Sequence, residues 1–244
     1  GVILRIYLLD ILRGISVLAM VFYHFFWDLG YFKFIELEKM TQGLPLIFAQ
    51  SIGASFIVIS GISSRLLYLS DNFMAKFLKR FGMLLFICAL ITSITYFFDK
   101  NSYIFFGILH LLATCSVLGL LLSIVRNNFI LFFFFILSSA VSLSEITFNL
   151  PNYLSWIGFN KEVPITNDFY PLFPWVTFYL FGVWVFQPAR NYLGKYTKDK
   201  NANLLKDNSV YRLLEFLGRN SLTVYILHQP IFFSLFFIFI QLTS

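Results

Sequence analysis

The sequence predicts an all-α integral membrane protein, a bundle of about seven transmembrane helices, and three observations carry that prediction. Of 244 residues, 59% are hydrophobic and 12% charged, against roughly a quarter charged in soluble domains. The chain holds 33 Phe, bulk that lipid accepts on the outside of a helical bundle and water does not. The apolar residues are gathered into runs long enough to cross about 30 Å of hydrocarbon at about 1.5 Å per residue.

Seven such runs stand near 8–29, 44–63, 81–98, 103–125, 128–147, 170–187 and 219–241. The first is expected to be kept as a span, not cleaved as a signal peptide, because large residues continue past Ala19 and no small-x-small site follows. Gly, Pro, Asn and charge separate the runs, as in DKN at 99–101, RNN at 126–128 and LPNYLSW at 150–156. Residues 188–212 read as a basic soluble loop too short to fold alone. With no internal repeat, 1–244 reads as one domain.

Lys and Arg set the orientation. With the N-terminus in the cytoplasm, that side holds fourteen: Arg5, Arg13, Arg65, Lys76, Lys79, Arg80, Arg126, Arg190, Lys195, Lys198, Lys200, Lys206, Arg212 and Arg219. The other side keeps four, Lys33, Lys39, Lys100 and Lys161. The bias predicts a plasma (inner) membrane protein with its N-terminus inside and, after seven spans, its C-terminus outside. The net charge of +6 does not point to nucleic acid, since the cations lie between apolar runs and form no strip interleaved with aromatics. Cys88 and Cys115 sit in separate apolar runs without CxxC or HxxxH spacing, so they read as small buried hydrophobes, and no metal site is indicated.

The first run, LDILRGISVLAMVFYHFFWDL, carries Asp10, Arg13, His24 and Asp28, and ionisable groups inside a membrane are functional-site candidates by default. At about 100° per residue, the eleven steps from Arg13 bring His24 back within about 20° of it and roughly 16 Å further along. Asp10 and Asp28 fall within about 60° of the same stripe, so one face of the helix presents a polar seam. Asp10 and Arg13 read equally as an i,i+3 ion pair at the inner interface, with Arg13 snorkelling to headgroups, or as functional groups of the seam. His24 reads as an interhelical hydrogen bond or as a functional-site histidine, the second favoured by the arginine on the same face.

His110, in FGILHLLA, and His228, in YILHQP, also fall within spans. Either could be interhelical glue, or the three histidines could border one polar cavity, with Pro230 freeing a carbonyl toward it. Asp168, in DFYPLFPW, precedes the sixth run, either to favour that helix's positive end or to bind an acceptor. Arg219, Asn220 and Ser221, in LGRNSL, open the seventh run, a combination suited to phosphate at a helix N-terminus.

Taken together, LDILRG with MVFYHFFWDL, FIVISGISS, GILHLLA, DFYPLFPWVTFYLFG and LGRNSLTVYILHQP resemble the successive motifs of the heparan-alpha-glucosaminide N-acetyltransferase catalytic-domain family. An Arg and a His with ten residues between them also resemble the signature of the wider transmembrane acyltransferases that modify cell-surface sugars. The resemblance implies a transmembrane acyltransferase fold and an enzyme that moves an acyl group, usually acetyl, from cytoplasmic acyl-CoA to a hydroxyl or amine of a sugar or glycan outside. It implies acetyl-CoA as donor substrate, no metal, and the lipid bilayer as surroundings, and leaves self-association as a homodimer open. On this reading His24, Asp28 and His110 are the candidate catalytic residues. Asp10, Arg13, Arg80, Arg219, Asn220 and Ser221 would serve the donor, and Asp168, Trp175, His228 and Gln229 the acceptor.

The chemistry suits these residue types. Acyl transfer from a thioester needs a base near neutrality, which histidine supplies, and CoA phosphates need cations. Direct attack and an acyl-histidine intermediate both remain open, as does the choice between His24 and His110. The competing classes are a transporter or flippase, which predicts internal symmetry, and a membrane scaffold, which leaves the Arg13–His24 alignment without a role.

Overall fold

A computed structural model describes residues 7–144, 146–196 and 208–243, the side chains of 187–196 excepted. The regular structure of the described residues is all helical, with only two isolated bridges of extended pairing. In order they form α1 (Tyr7–Tyr31), α2 (Glu38–Thr41), α3 (Gly43–Tyr68), α4 (Phe73–Phe98), α5 (Ile108–Leu122), α6 (Asn128–Leu143), a 3-10 turn (Asn152–Ile157), α7 (Leu172–Tyr196), α8 (Ser209–Arg219) and α9 (Ser221–Thr243).

Four of these, α1, α3, α4 and α9, are long and apolar enough to cross a membrane; α5, α6 and the Leu172–Phe186 part of α7 are shorter apolar helices. The protein is therefore an integral membrane protein with four full-length candidate spans where the sequence reading counted about seven.

The boundaries move for local reasons. The third run begins at Phe73, not 81, and takes Lys76, Lys79 and Arg80 into α4, since nothing in that stretch breaks a helix. The fourth begins at Ile108, not 103, because residues 102–106 pair instead with 167–170 through Asn167 N–H to the Ser102 carbonyl at 3.0 Å and Tyr170 N–H to the Phe106 carbonyl at 3.1 Å. The expected loop 188–212 is partly helical, with α7 running to Tyr196 and α8 starting at Ser209; its residues 197–207 lie outside the described residues.

Two helix starts are capped by an asparagine side chain. Asn127 accepts the N–H of Phe129 at 2.9 Å to start α6, and Asn208 that of Val210 at 2.8 Å to start α8. After α4, the Ser102 hydroxyl and the Asn101 N–H both donate to Asp99 and hold its carboxyl below the usual carboxylate range.

The chain divides into two compact units, one within 57–190 and one within 5–56 and 191–244. In the first, Ile57, Leu111, Cys115, Tyr179 and Val183 form the buried core. A Cβ on Gly61 would collide with the carbonyl of Tyr179 and one on Gly182 with that of Val58, so α3 and α7 cross with backbones in contact, the approach small residues permit between membrane helices. Thr177 of α7 bonds Ser138 and Ser142 of α6 at 2.6 and 3.0 Å. Arg65, expected only as a topology signal, donates to the Leu122 and Val125 carbonyls at 3.1 and 3.2 Å. It thereby satisfies the carbonyl end of α5, where a cation also suits the helix dipole.

In the second unit α1 is the central element. Its Ser16 bonds Ser55 of α3 at 2.8 Å, and its Tyr23 hydroxyl donates to the Met40 carbonyl of α2 at 3.1 Å. A Cβ on Gly14 would strike the Leu214 carbonyl, and one on Gly218 the Asp10 carbonyl, which puts α1 and α8 backbone to backbone. Phe25 packs on Phe232 and Phe236 of α9 with ring centroids 5.7 and 5.8 Å apart.

Candidate functional site

The polar seam expected on α1 faces inward. Asp28 has no exposed surface and Asp10 only 6%, whereas Leu18 and Phe22, on the opposite side by the 100° rule, are more than half exposed. That opposite side, with Ile15, Phe25 and Phe232, bounds an open apolar groove of about 600 Å³, which has no polar side chain and no means of doing chemistry.

At the cytoplasmic end of the seam expected from the charge bias, Arg13 pairs with Asp10 at 2.9 Å, as the ion-pair reading anticipated. At the other end α1 meets α9. The imidazoles of His24 and His228 lie with centroids 4.8 Å apart and planes inclined by 56°. The Gln229 amide nitrogen stands 3.4 Å from His24 Nδ1 and 3.4 Å from Asp28 Oδ1. His228 Nδ1 donates to the Tyr225 carbonyl at 2.7 Å. Pro230 has no N–H for the carbonyl one turn back, and its own carbonyl accepts the Ser234 hydroxyl at 2.7 Å.

Five buried side-chain polar atoms lack a hydrogen-bond partner among the described residues, and three of them, Asp28 Oδ2, His228 Nε2 and Gln229 Oε1, belong to this cluster. Each such atom costs about 1–3 kcal/mol. Three of the five fall in this one cluster, which makes it the candidate site among the described residues.

The remaining candidates take structural partners. His110 is held at both nitrogens: Thr92, whose hydroxyl donates to the Ile104 carbonyl at 2.8 Å, is 3.1 Å from Nε2, and the Gly107 N–H donates to Nδ1 at 3.3 Å. Those bonds tie α4 to the start of α5, which is the interhelical reading of this residue. Asp168 does cap a helix, but α5 and not the α7 that follows it, because Oδ2 accepts the Ile108 N–H at 3.0 Å. Trp175 stacks obliquely on Tyr170 with centroids 4.7 Å apart.

At LGRNSL the start expected for the seventh run at 219 moves to Ser221. Arg219 ends α8 and reaches Glu215 at 3.5 Å, the Asn220 amide donates to the Phe216 carbonyl at 2.8 Å, and only Ser221 belongs to the start of α9. The segment forms a helix-to-helix corner that leads into α9. Among the donor-side cations, Arg13 and Arg219 thus have carboxylate neighbours, while Arg80 is exposed on α4.

The α8 helix itself went unread in the sequence, although Val210, Leu213, Leu214 and Leu217 recur at helical spacing with Arg212, Glu215 and Arg219 opposite. A search for long apolar runs passes over so short an amphipathic segment.

Long apolar helices, two of which bring two histidines, a carboxylate and an amide together, define an integral membrane protein with a polar cluster between its helices. More particularly, the chain belongs to the family described as heparan-alpha-glucosaminide N-acetyltransferase, catalytic, whose model matches residues 5–230. Comparison with curated proteins and with solved structures gives no match.

Proposed function

We propose that the protein transfers an acyl group, acetyl by its family, from acyl-CoA on the cytoplasmic side to a hydroxyl or amine of a sugar or glycan on the outer side, through a bundle of seven spans. The observation that carries this reading is the α1–α9 cluster, where Asp28, His228 and Gln229 each hold a buried polar atom without a partner among the described residues, beside His24. Buried acceptor atoms favour a ligand that brings N–H or O–H groups, as a sugar does.

The donor fits the other end of the seam. Arg13 lies eleven residues before His24 on one helix, roughly 16 Å away, a separation for the pantetheine arm to bridge between phosphates and thioester. Arg13 offers a guanidinium to a phosphate by exchange with Asp10, a charge-assisted contact. Bound acyl-CoA would supply the activated acyl carbon, and the cluster on α1 and α9 would orient the acceptor and handle its proton.

The test is direct. Purified protein in detergent should bind acetyl-CoA in calorimetry and, with glucosamine present, release free thiol in step with formation of the acetylated sugar. Absence of both binding and thiol release would end the reading.

A further inference from the structure

Resting on the acyl-transfer reading above, we propose that His228 is the general base of this site and that His24 acts as the hydrogen-bond donor to the oxyanion.

The tautomers of the two rings are set by their neighbours. A carbonyl oxygen only accepts, so His228 Nδ1, 2.7 Å from the Tyr225 carbonyl, carries the proton and leaves Nε2 with its lone pair. That Nε2 is buried and unpartnered among the described residues. An amide nitrogen only donates, so His24 Nδ1, 3.4 Å from Gln229 Nε2, carries a lone pair and the ring proton sits on Nε2. Asp28 fixes which way the amide points: the same nitrogen lies 3.4 Å from Asp28 Oδ1, where an amide oxygen would face a carboxylate oxygen. Two imidazoles 4.8 Å apart thus offer one basic nitrogen and one N–H donor, the two functions that acyl transfer requires at adjacent positions. Gln229 and Asp28 are the positioning residues that keep His24 in its donor tautomer.

The step balances. As the acceptor oxygen or nitrogen bonds the thioester carbonyl carbon, its proton passes to His228 Nε2, and the oxyanion that forms accepts the His24 Nε2–H. Collapse of the tetrahedral species breaks the C–S bond. The CoA thiolate leaves and takes the proton from His228, so the products are the acylated acceptor and free CoA thiol, with both histidines restored.

Two measurements on the full chain decide it. Solid-state NMR of protein with ¹⁵N-labelled histidine should show His228 protonated at Nδ1 and His24 at Nε2, with assignments from His24→Gln and His228→Gln. The opposite tautomers overturn the proposal whether or not the protein turns over. In thiol release from acetyl-CoA with glucosamine, His228→Gln should lose about 10²–10⁴-fold in kcat with KM for acetyl-CoA within a few-fold. Added imidazole should restore part of the turnover of His228→Ala. His24→Gln, which keeps an N–H, should stay within about tenfold of wild type, whereas His24→Ala should lose about 10²–10³-fold and gain nothing from imidazole. Acetyl-CoA binding and a thermal melt confirm that each variant is folded. Imidazole rescue of His24→Ala and not of His228→Ala reverses the roles and overturns the proposal. A wild-type protein that neither binds acetyl-CoA nor releases thiol overturns the acyl-transfer reading instead, while the NMR result still judges the tautomers.

Discussion

The Asp168 carboxylate accepts the backbone N–H of Ile108 at 3.0 Å, so a residue sixty positions downstream caps the start of α5. Asp168→Ala should therefore cost about 1 kcal/mol of stability, the usual worth of a helix cap, seen as a lower midpoint of unfolding in detergent. A raised KM for the acceptor with an unmoved midpoint would return Asp168 to acceptor binding.

His110 and Thr92 form one hydrogen-bonded pair across α4 and α5. His110→Ala and Thr92→Val should each destabilise by about 1 kcal/mol, and the double variant should cost less than the sum, because both delete the same bond. Turnover of His110→Ala should stay within about tenfold of wild type. A loss beyond a hundredfold, with stability preserved, would make His110 a catalytic group.

Gly14 and Gly218 stand where α1 and α8 touch backbone to backbone. Alanine at either should destabilise by about 3 kcal/mol, at the upper end for overpacking, because a carbonyl and not a flexible side chain must give way. Gly82, interior to α4, has nothing within 4 Å of a built Cβ, so Gly82→Ala should stabilise by about 0.5–1 kcal/mol. Thermal unfolding of the three variants in one detergent reads both signs.

Topology is tested by labelling single cysteines in whole cells after Cys88 and Cys115 are replaced. Lys161→Cys should react with a membrane-impermeant maleimide added outside, and Lys200→Cys should react only after lysis, as the fourteen-to-four distribution of cations predicts. Ready reaction at 200 in intact cells would invert the assignment.

Much of the helix layout is legible in the sequence because hydropathy is local. A run such as 8–29 needs no partner to be recognised, and the 100° step alone places Asp10, Arg13, His24 and Asp28 on one face. The reading fails where structure depends on a distant segment. Nothing near 103–107 announces that 167–170 will pair with it and delay α5, while the short amphipathic α8 is legible only by its own 3.6-residue period and not by run length.

What the sequence determined by itself is the class of molecule, its apolar helices and the inward seam of α1, since composition and periodicity act residue by residue. Which partner each polar side chain takes was decided only by tertiary structure. His24 and Gln229 meet across 205 positions, and Asp168 serves α5 instead of its own helix. A buried donor or acceptor bonds whatever folding brings within about 3 Å, and that proximity is a property of the packed chain.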